Sequence, residues 1–196
     1  MPLQPSEKII SLIEKKLSGR NTPLLIALDG RSGTGKSSLA KTLANKFSAT
    51  LIESDDFYCG RENNTWASCS PEEKVAQCID WRRLRAEALM PLLEGKTAHY
   101  HPYDFKTGAK FAQHSVTLQP SKIIILDGAY SARPELSDLV DIRILVESSD
   151  DVRRNRLLHR EGTTFMEEWH SIWDVAEEYY FTEICPLASF DVVVKN

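Results

Sequence analysis

The sequence predicts an α/β fold in which helices cover a mainly parallel β-sheet. Two observations predict this class. Short, continuously apolar runs recur along the chain, and segments with apolar residues at helical spacing separate them. A short apolar run bounded by turn residues is typical of a strand that is buried on both faces, as strands are in parallel sheets. Strands that alternate with helices indicate an α/β arrangement.

The composition is that of a globular chain that is not basic and has no long apolar run. Its 196 residues fit one domain of roughly 100–200 residues, so we expect 1–196 to form a single domain. The formal net charge of -4 argues against nucleic acid as the main partner, because phosphate backbones attract basic surfaces. The chain starts without the apolar centre of a signal peptide, and no apolar run approaches a membrane span. We therefore expect a cytoplasmic protein without a membrane partner.

The first part of the chain predicts helices and strands around a glycine-rich segment. Residues 6–18 carry apolar side chains at helical spacing between a serine cap and a terminating glycine, and predict an N-terminal helix. The run "LLIALD" predicts a buried strand, and "SLAKTLANKF" predicts the helix after the glycine-rich segment. "ATLIESDDFY" predicts a second strand that ends at Asp55. The polar segment 59–79 lacks a clean period and predicts a long mobile loop with one short helix.

The second part of the chain predicts three more strands. Residues 81–94 form a helix candidate whose last turn Pro91 should disturb, and 97–118 predicts a hairpin at the edge of the sheet. "KIIILDGAY", "DIRILVESS" and "FDVVV" predict buried strands, and an arginine-rich helix starts at Asp150. Aromatic residues at helical spacing over 165–180 predict core packing. A self-association face is the alternative, so the chain is a candidate homo-oligomer.

The segment "GRSGTGKSS" predicts a site for a nucleoside triphosphate. It matches the pattern G-x-x-x-x-G-K-[ST] between a predicted strand and a predicted helix. Glycines let the backbone N–H groups surround phosphate oxygens, and the helix N-terminus adds partial positive charge. Lys36 can reach the β- and γ-phosphates while the Ser37 hydroxyl binds magnesium, which makes ATP and Mg²⁺ the expected cofactors. The residues expected to bind the nucleotide are Gly30, Arg31, Ser32, Gly33, Thr34, Gly35, Lys36, Ser37 and Ser38.

Three acids follow predicted strands, where open α/β sheets bind their ligands. Asp55 and Asp56 come at the end of the second strand, and Asp127 ends "IIIL". A carboxylate at Asp55 can accept a proton from an attacking hydroxyl. The carboxylate of Asp127 is suited to bind magnesium. Paired aspartates after a strand also occur as turns or helix caps, but the phosphate loop favours the catalytic interpretation. The predicted metal ligands are Ser37, Asp127 and Asp55.

Three arginines lie on one face of the helix that starts at Asp150. Arg153, Arg156 and Arg160 are spaced i, i+3 and i+7. They suit a lid over 148–164 that closes on phosphates and stabilises the transferred charge. The alternative is a solvated basic face that pairs with acids of the same helix. We prefer the lid, and predict that these arginines act in catalysis together with Lys36 and Asp55.

The motifs occur in the order seen in one group of kinases. "GRSGTGKSS", "SDDFY", "DWRRL", "YDF", "ILDGAY" and "DDVRRNRLLHRE" resemble the uridine kinase and phosphoribulokinase group of P-loop kinases, from residue 24 to the final strand. The resemblance implies a three-layer P-loop NTPase fold, with a five-stranded parallel sheet, helices on both faces and an arginine-bearing lid. It implies that Asp55 is the general base and that Asp127 is the Walker B acid.

The same resemblance implies an acceptor site. Tyr58 would line it, Asp80 would hold sugar hydroxyls, and Tyr103 would lie near the base, with Arg83 of "DWRRL" as a further substrate-binding candidate. Two departures stand out. Uridine kinases usually carry a histidine shortly after "YDF" that contacts the pyrimidine, whereas this chain has Lys-Thr-Gly at 106–108. Their Walker B acid is commonly glutamate rather than aspartate.

We therefore expect ATP- and Mg²⁺-dependent phosphoryl transfer to a hydroxyl of a small molecule, with a uridine- or cytidine-like nucleoside as the first candidate. Other sugar alcohols or vitamin-type acceptors are the alternatives: nicotinamide riboside, pantothenate, glycerate or ribulose phosphate. A P-loop regulator that binds nucleotide without transferring phosphate is a different class. The ordered acceptor motifs argue against it.

Overall fold

The central element is a sheet of five parallel strands. The computed structural model describes residues 6–196, and at 63, 64, 161 and 163–169 it describes the backbone alone. Its strands in chain order are β1 (Leu24–Asp29), β2 (Thr50–Glu53), β3 (Ala98–Tyr100), β4 (Val116–Leu118), β5 (Ile123–Asp127), β6 (Ile142–Glu147) and β7 (Val192–Lys195). The main sheet has the order β2-β5-β1-β6-β7, with every pair parallel. The predicted five-stranded α/β fold is confirmed.

Helices cover both faces of this sheet. In the described part of the chain they are α1 (Glu7–Leu17), α2 (Lys36–Phe47), α3 (Asn63–Ser68), α4 (Pro71–Gln77), α5 (Trp81–Arg83), α6 (Met90–Leu93), α7 (Asp150–Glu161) and α8 (Thr163–Tyr179). π-helical segments join α5 to α6 (Leu84–Leu89) and extend α8 (Tyr180–Ile184). None of these helices has the length and apolar content needed to cross a membrane.

The alternation of side chains along β1 divides the core in two. Leu24, Ile26 and Leu28 belong to the cluster that includes residues of α1 and α2. Leu25 and Ala27 belong to the cluster on the opposite face, which includes residues of α3, α4, α6 and α8. All six residues of β1 are buried, as expected for a central parallel strand with helices on both sides. The result is a three-layer arrangement with the carboxyl ends of the strands along one edge.

Three local predictions differ from the structure. Strand β2 ends at Glu53 rather than Asp55, because a 3₁₀ turn over Ser54–Phe57 takes over. The predicted hairpin forms as β3 and β4, but these pair only with each other in a separate antiparallel sheet. Segment 59–79 contains two helices, α3 and α4, rather than one, and the side chain of Trp66 on α3 is fully buried.

Pro91 disturbs the helix of residues 81–93 in an identifiable way. A proline within a helix donates no backbone hydrogen bond, and its ring crowds the carbonyl four residues earlier. The turn before it is π-helical, and the N–H of Met90 donates to the carbonyl of Arg85, five residues back. The helix therefore takes a wider, π-helical turn just before Pro91, where the regular i to i−4 hydrogen bonds are interrupted. It then continues for one more turn to Leu93.

Candidate active site

The glycine-rich segment turns tightly from β1 into α2. The backbone is left-handed at Gly33, with φ of 81°, and a Cβ there would lie 2.8 Å from the backbone oxygen of Arg153. At Gly30 a Cβ would lie 2.3 Å from the oxygen of Val146. A larger residue at either position would force the loop away from its neighbours. Helix α2 begins at Lys36, so its first-turn N–H groups face the loop, which is the arrangement that binds phosphate.

Asp29, the last residue of β1, anchors the base of this loop. Its carboxylate is fully buried and accepts four hydrogen bonds, from the N–H groups of Gly30, Tyr130 and Ala132 and from the Tyr180 hydroxyl, at 2.8–3.0 Å. Burial raises the pKa of Asp29, while the hydrogen bonds oppose the shift. Asp29 therefore joins the phosphate loop to the segment after β5 and to the π-helical extension of α8. No sequence motif had indicated a role for Asp29.

Asp127 lies where the loop meets the neighbouring strands. The register of β2 and β5 sets Glu53 beside it. Burial raises the pKa of Asp127 to about 6, while the charge of Lys36 and a hydrogen bond with Ser37 lower it and the charge of Asp55 raises it further. Among the described residues, nothing bonds to the buried Oδ1 atom of Asp127. An unsatisfied carboxylate oxygen beside a serine hydroxyl is a donor set that fits Mg²⁺.

The 3₁₀ turn after β2 gives its two aspartates different environments. Asp56 is half-buried and accepts a hydrogen bond from the Tyr100 hydroxyl at 2.8 Å, and burial raises the pKa of its carboxyl. Asp55 is exposed at the carboxyl edge of the sheet. Gly128 lets this turn approach β5 closely, because a Cβ there would lie 1.7 Å from the Ser54 hydroxyl oxygen. The structure leaves Asp55 as the accessible acid.

Aromatic side chains gather beside this turn. The ring of Tyr58 lies 5.0 Å from that of Tyr103, edge-on, and 5.8 Å from that of Phe105, stacked. Trp66 donates its indole N–H to the Tyr58 hydroxyl at 2.5 Å. Burial raises the pKa of Tyr58 to about 12, so the phenol stays protonated at neutral pH. We call Tyr58, Trp66, Tyr103 and Phe105 the aromatic cluster. It brings together Tyr58 and Tyr103, which the sequence had indicated separately.

Asp80 joins the same region, whereas the Arg83 guanidinium is used within the fold. The N–H of Asp80 donates to the carbonyl of Phe57 at 2.8 Å, and its carboxylate caps α5 by accepting from the N–H of Arg83 at 3.1 Å. The Arg83 side chain forms a two-pronged pair with Glu87 at 2.8 Å and also donates to the carbonyl of His101. The backbone of Asp80 is thus bonded to Phe57, the residue before Tyr58 of the aromatic cluster, and Arg83 supports the surrounding structure.

Helix α7 packs directly on the phosphate loop. The guanidinium of Arg153 is buried and donates to the carbonyl of Ser32 at 2.8 Å and to the carboxylates of Asp150 and Glu177 at 2.8 and 2.9 Å. Arg156 donates to the carbonyls of Gly33 and Thr34 at 3.2 and 3.1 Å. Arg160 is exposed in the last turn of the helix. The three predicted arginines therefore have different surroundings, and the buried Arg153 is occupied by the Ser32 carbonyl and two carboxylates.

Helix α8 and the residue after β7 add side chains that the sequence motifs do not indicate. Glu177 is buried and accepts a hydrogen bond from the N–H of Ser32 at 2.8 Å. Its neighbour Glu178 pairs with Arg31, which turns that side chain toward α8. The Asn196 side chain donates to the carbonyl of Thr34 at 2.7 Å. No motif spacing marks these residues, because their partners lie far away in sequence.

Fold and site together define a class of protein. A glycine loop that enters a helix, with acids at the ends of β5 and after β2, is the arrangement of a P-loop kinase. The chain belongs to the phosphoribulokinase and uridine kinase family, whose model matches residues 25–183. The resemblance seen in the motifs is confirmed, and the chain is a small-molecule kinase.

Individual relatives agree with this family. A uridine kinase of Streptococcus agalactiae is 28% identical over 177 residues, which cover 86% of this chain and 80% of the relative. A uridine kinase of Brevibacillus brevis is 32% identical over 148 residues, 71% of this chain and 66% of the relative. Among solved structures, a possible uridine kinase from Bacillus stearothermophilus superposes with a TM-score of 0.67 at 20% identity, covering 95% of this chain and 97% of that one. A D-glycerate 3-kinase from Cryptococcus neoformans gives 0.63 at 13% identity, with coverage of 96% and 94%. The two structures share the fold.

Proposed function

We propose that the protein transfers the γ-phosphoryl group of ATP, with Mg²⁺, to a hydroxyl of an uncharged nucleoside of the uridine or cytidine type. The observation that carries this proposal is the placement of Asp55. It is exposed between the end of β2 and the aromatic cluster, and its charge acts on Asp127 together with that of Lys36. An accessible acid between a phosphate loop and an aromatic surface is the arrangement needed to deprotonate an acceptor hydroxyl.

The loop side of the site would hold the nucleotide. Backbone N–H groups of 33–38 would surround the phosphates, and Lys36 would balance their charge. Ser37 and Asp127, with Asp55 nearby, would hold Mg²⁺, which when bound neutralises charge on the β- and γ-phosphates. We propose that 148–164 acts as a lid and that Arg156 and Arg160 bring positive charge to the transferred group. Arg153 supports the loop through its hydrogen bond to the Ser32 carbonyl.

On the acceptor side, each residue would have one task. Asp55 would take the proton of the attacking hydroxyl while the new P–O bond forms and the bond from the γ-phosphorus to the departing ADP breaks. The carboxylate of Asp80 has an oxygen beyond the one that caps α5, which suits a pair of sugar hydroxyls. Tyr58 and Tyr103 would contact the flat part of the acceptor. Aromatic faces gain from stacking on a base, and Phe105, which is 65% exposed, presents such a face.

The charges around the aromatic cluster support an acceptor without phosphate. Arg83 and Arg133 pack against Phe57 and Trp81, and a phosphorylated acceptor would need such cations. Arg83 is paired with Glu87, and the buried Arg133 is paired with Glu135 at 2.8–3.0 Å. Since these two guanidinium groups are already balanced by carboxylates, they favour a neutral molecule over ribulose phosphate. The guanidinium of the exposed Arg61 lies 5.1 Å from the centroid of the Trp66 ring and is engaged with the aromatic cluster itself.

The residues that follow Tyr103 support a base contact of a different kind from that of typical uridine kinases. Lys106 and Thr107 replace the usual histidine. The Thr107 hydroxyl donates to the Asp104 carboxylate at 2.7 Å, and Asp104 also accepts from the N–H of Lys106 at 2.9 Å. This turn is closed by its own hydrogen bonds. We therefore expect recognition of the base to depend more on stacking than on a side-chain hydrogen bond.

The test is ATP consumption with Mg²⁺ across a panel of acceptors. The panel contains nucleosides, nicotinamide riboside, pantothenate, glycerate and ribulose phosphate, with a reaction that lacks acceptor as the baseline. We expect a pyrimidine nucleoside to stimulate turnover most, and Asp55→Asn to abolish this stimulation while ATP binding stays close to that of the wild type. Stimulation by another acceptor would replace the nucleoside in the proposal. Tight ATP binding without stimulation by any of them would favour a nucleotide-binding regulator.

A further inference from the structure

The peptide groups of Ser32, in the middle of the phosphate loop, are held by a buried ion pair. The Ser32 N–H donates to Oε1 of Glu177 at 2.8 Å, and the Ser32 carbonyl accepts from Nε of Arg153 at 2.8 Å. The two side chains bond to each other at 2.9 Å and are 2% and 5% exposed. Glu177 comes from α8 and Arg153 from α7, so two helices grip one residue of the loop.

Stability alone does not explain why charges are used here. Removing two charges from water costs about as much as their attraction returns, and apolar side chains of similar volume often replace a buried ion pair without loss. This pair does something that apolar side chains cannot do, because it bonds to both polar groups of the Ser32 backbone. The loop has left-handed glycines on either side, Gly30 and Gly33, and therefore lacks regular secondary structure that would fix its shape.

A second contact holds the start of the same loop. Tyr180, one turn after Glu177, donates its hydroxyl to Asp29 at 2.8 Å. The C-terminal helix therefore contacts the loop at two points, at Asp29 before it and at Ser32 within it. Phosphate binding depends on several N–H groups converging on the same oxygens, and a displacement of about 1 Å in such an arrangement can cost roughly 100-fold in rate.

We propose that Glu177 is a positioning residue, which together with Arg153 fixes the Ser32 peptide and so sets the phosphate loop in the shape that binds ATP. Glu177 acts through the backbone of the loop and need not touch the nucleotide. The proposal rests on the proposed binding of ATP. It predicts that loss of the pair weakens ATP binding even when the fold is as stable as before.

The experiment measures the Kd for ATP with Mg²⁺ by calorimetry, together with Tm, for Glu177→Met, Arg153→Met and the double variant. Arg153→Met leaves the buried Glu177 carboxylate without its partner, and Glu177→Met leaves the buried Arg153 with Asp150 alone, so both Tm and ATP affinity should fall. The double variant removes both charges, and its Tm should return toward that of the wild type. Its Kd for ATP should stay raised by about 10- to 100-fold, because the Ser32 peptide has lost both partners.

The chain offers a matched control at the opposite end of the sheet. Asp141 accepts a hydrogen bond from the N–H of Leu25 at 2.9 Å and pairs with Arg20 at 2.6 and 2.9 Å. Like Glu177, it holds a backbone N–H and an arginine, but far from the phosphate loop. Replacing both Arg20 and Asp141 by methionine should change Tm while the Kd for ATP stays within about twofold of the wild type.

The outcomes separate this proposal from the proposed function. If the wild type does not bind ATP, the proposed function fails. If it does, and the Glu177/Arg153 double variant binds ATP as the wild type does, the positioning role is overturned. Should the double variant not fold, Glu177→Gln and Glu177→Ala decide. Glutamine keeps an oxygen for the Ser32 N–H, so its Kd should lie between those of the wild type and of the alanine variant. Equal Kd values for all three would overturn the proposal.

Discussion

Trp66 donates its indole N–H to the hydroxyl of Tyr58 at 2.5 Å, and the two rings lie 6.2 Å apart. Trp66 belongs to α3, within the segment for which the sequence predicts a mobile loop, and its side chain is fully buried. On its other side it packs against Trp173 of α8, with ring centroids 5.3 Å apart. The position of Tyr58, which we propose lines the acceptor site, is therefore tied to α8.

This hydrogen bond should matter for acceptor binding. Because Trp66 fixes the Tyr58 hydroxyl, we expect Trp66→Phe to raise KM for the acceptor by roughly 2- to 10-fold, the equivalent of one hydrogen bond, with KM for ATP unchanged. Steady-state kinetics with the best acceptor of the panel would measure this. Tyr58→Phe removes the other partner, so the double variant should be no worse than Tyr58→Phe alone. Additive losses would mean that the two residues act independently.

Gly33 allows a comparison between two left-handed glycines. Gly33→Ala combines an unfavourable φ of 81° with a contact of 2.8 Å to the backbone of Arg153, whereas Gly19→Ala at φ of 72° meets nothing within 4 Å. Both variants should lose about 1 kcal/mol or more of stability from the backbone strain. Only Gly33→Ala should also weaken ATP binding, by about 10-fold or more. Equal ATP affinities in calorimetry would contradict a rigid, closely packed loop.

Asp127 should determine the requirement for magnesium. Asp127→Asn keeps the shape of the side chain and removes the charge that a hard cation prefers. We expect kcat to fall by about 100-fold or more, and the Mg²⁺ concentration for half-maximal rate to rise. A Mg²⁺ titration at saturating ATP measures both. Glu53→Gln is the matched control, because Glu53 lies beside Asp127 in the register of β2 and β5 but is exposed. An equal loss of kcat in Glu53→Gln would contradict a specific role of Asp127 in binding Mg²⁺.

The arginines of α7 should differ in their effect on turnover. Arg156 reaches the carbonyls of Gly33 and Thr34, so its charge lies at the phosphate loop. Arg156→Met should lower kcat by about 10- to 100-fold. Arg154 is an exposed neighbour on the same helix, and Arg154→Met should change kcat by less than about twofold. If both variants lost the same activity, the net charge of the helix would explain the effect better than the placement of Arg156.

The main sheet could be predicted because its strands are buried on both faces. Runs such as "LLIALD" and "KIIIL" are almost entirely apolar. Few folds other than a parallel sheet covered by helices accommodate such runs in alternation with helices. The segment 59–79 was harder. Its helices are short, and their stability comes from buried contacts of residues such as Trp66 and Val75 and from the capping box of Ser70. Tertiary packing of this kind leaves little periodicity in six or seven residues.

The candidate site divides in a similar way. The positions of the loop residues, Asp55 and Asp127 could be predicted because they follow from a local pattern or from the end of a strand, while their roles stay predictions. Arg153 was predicted to lie over the phosphates, but spacing along a helix shows only which residues share a face, not what that face meets. Asp29 and Glu177 are polar residues whose bonds across the phosphate loop span 101 to 151 residues, from Asp29 to Tyr130, Ala132 and Tyr180 and from Glu177 to Ser32. Only the three-dimensional structure reveals such contacts.

The hydrogen bond between Asp29 and Tyr180 has a consequence for biosynthesis. Asp29, at the base of the phosphate loop, is made 151 residues before the tyrosine that holds it. Glu177, which holds Ser32, also comes late, 145 residues after its partner. Contacts of such long sequence separation form late because the intervening chain must first be ordered. A nascent chain therefore carries this loop without the contacts of Glu177 and Tyr180 until both residues have been made and the helix that bears them has packed.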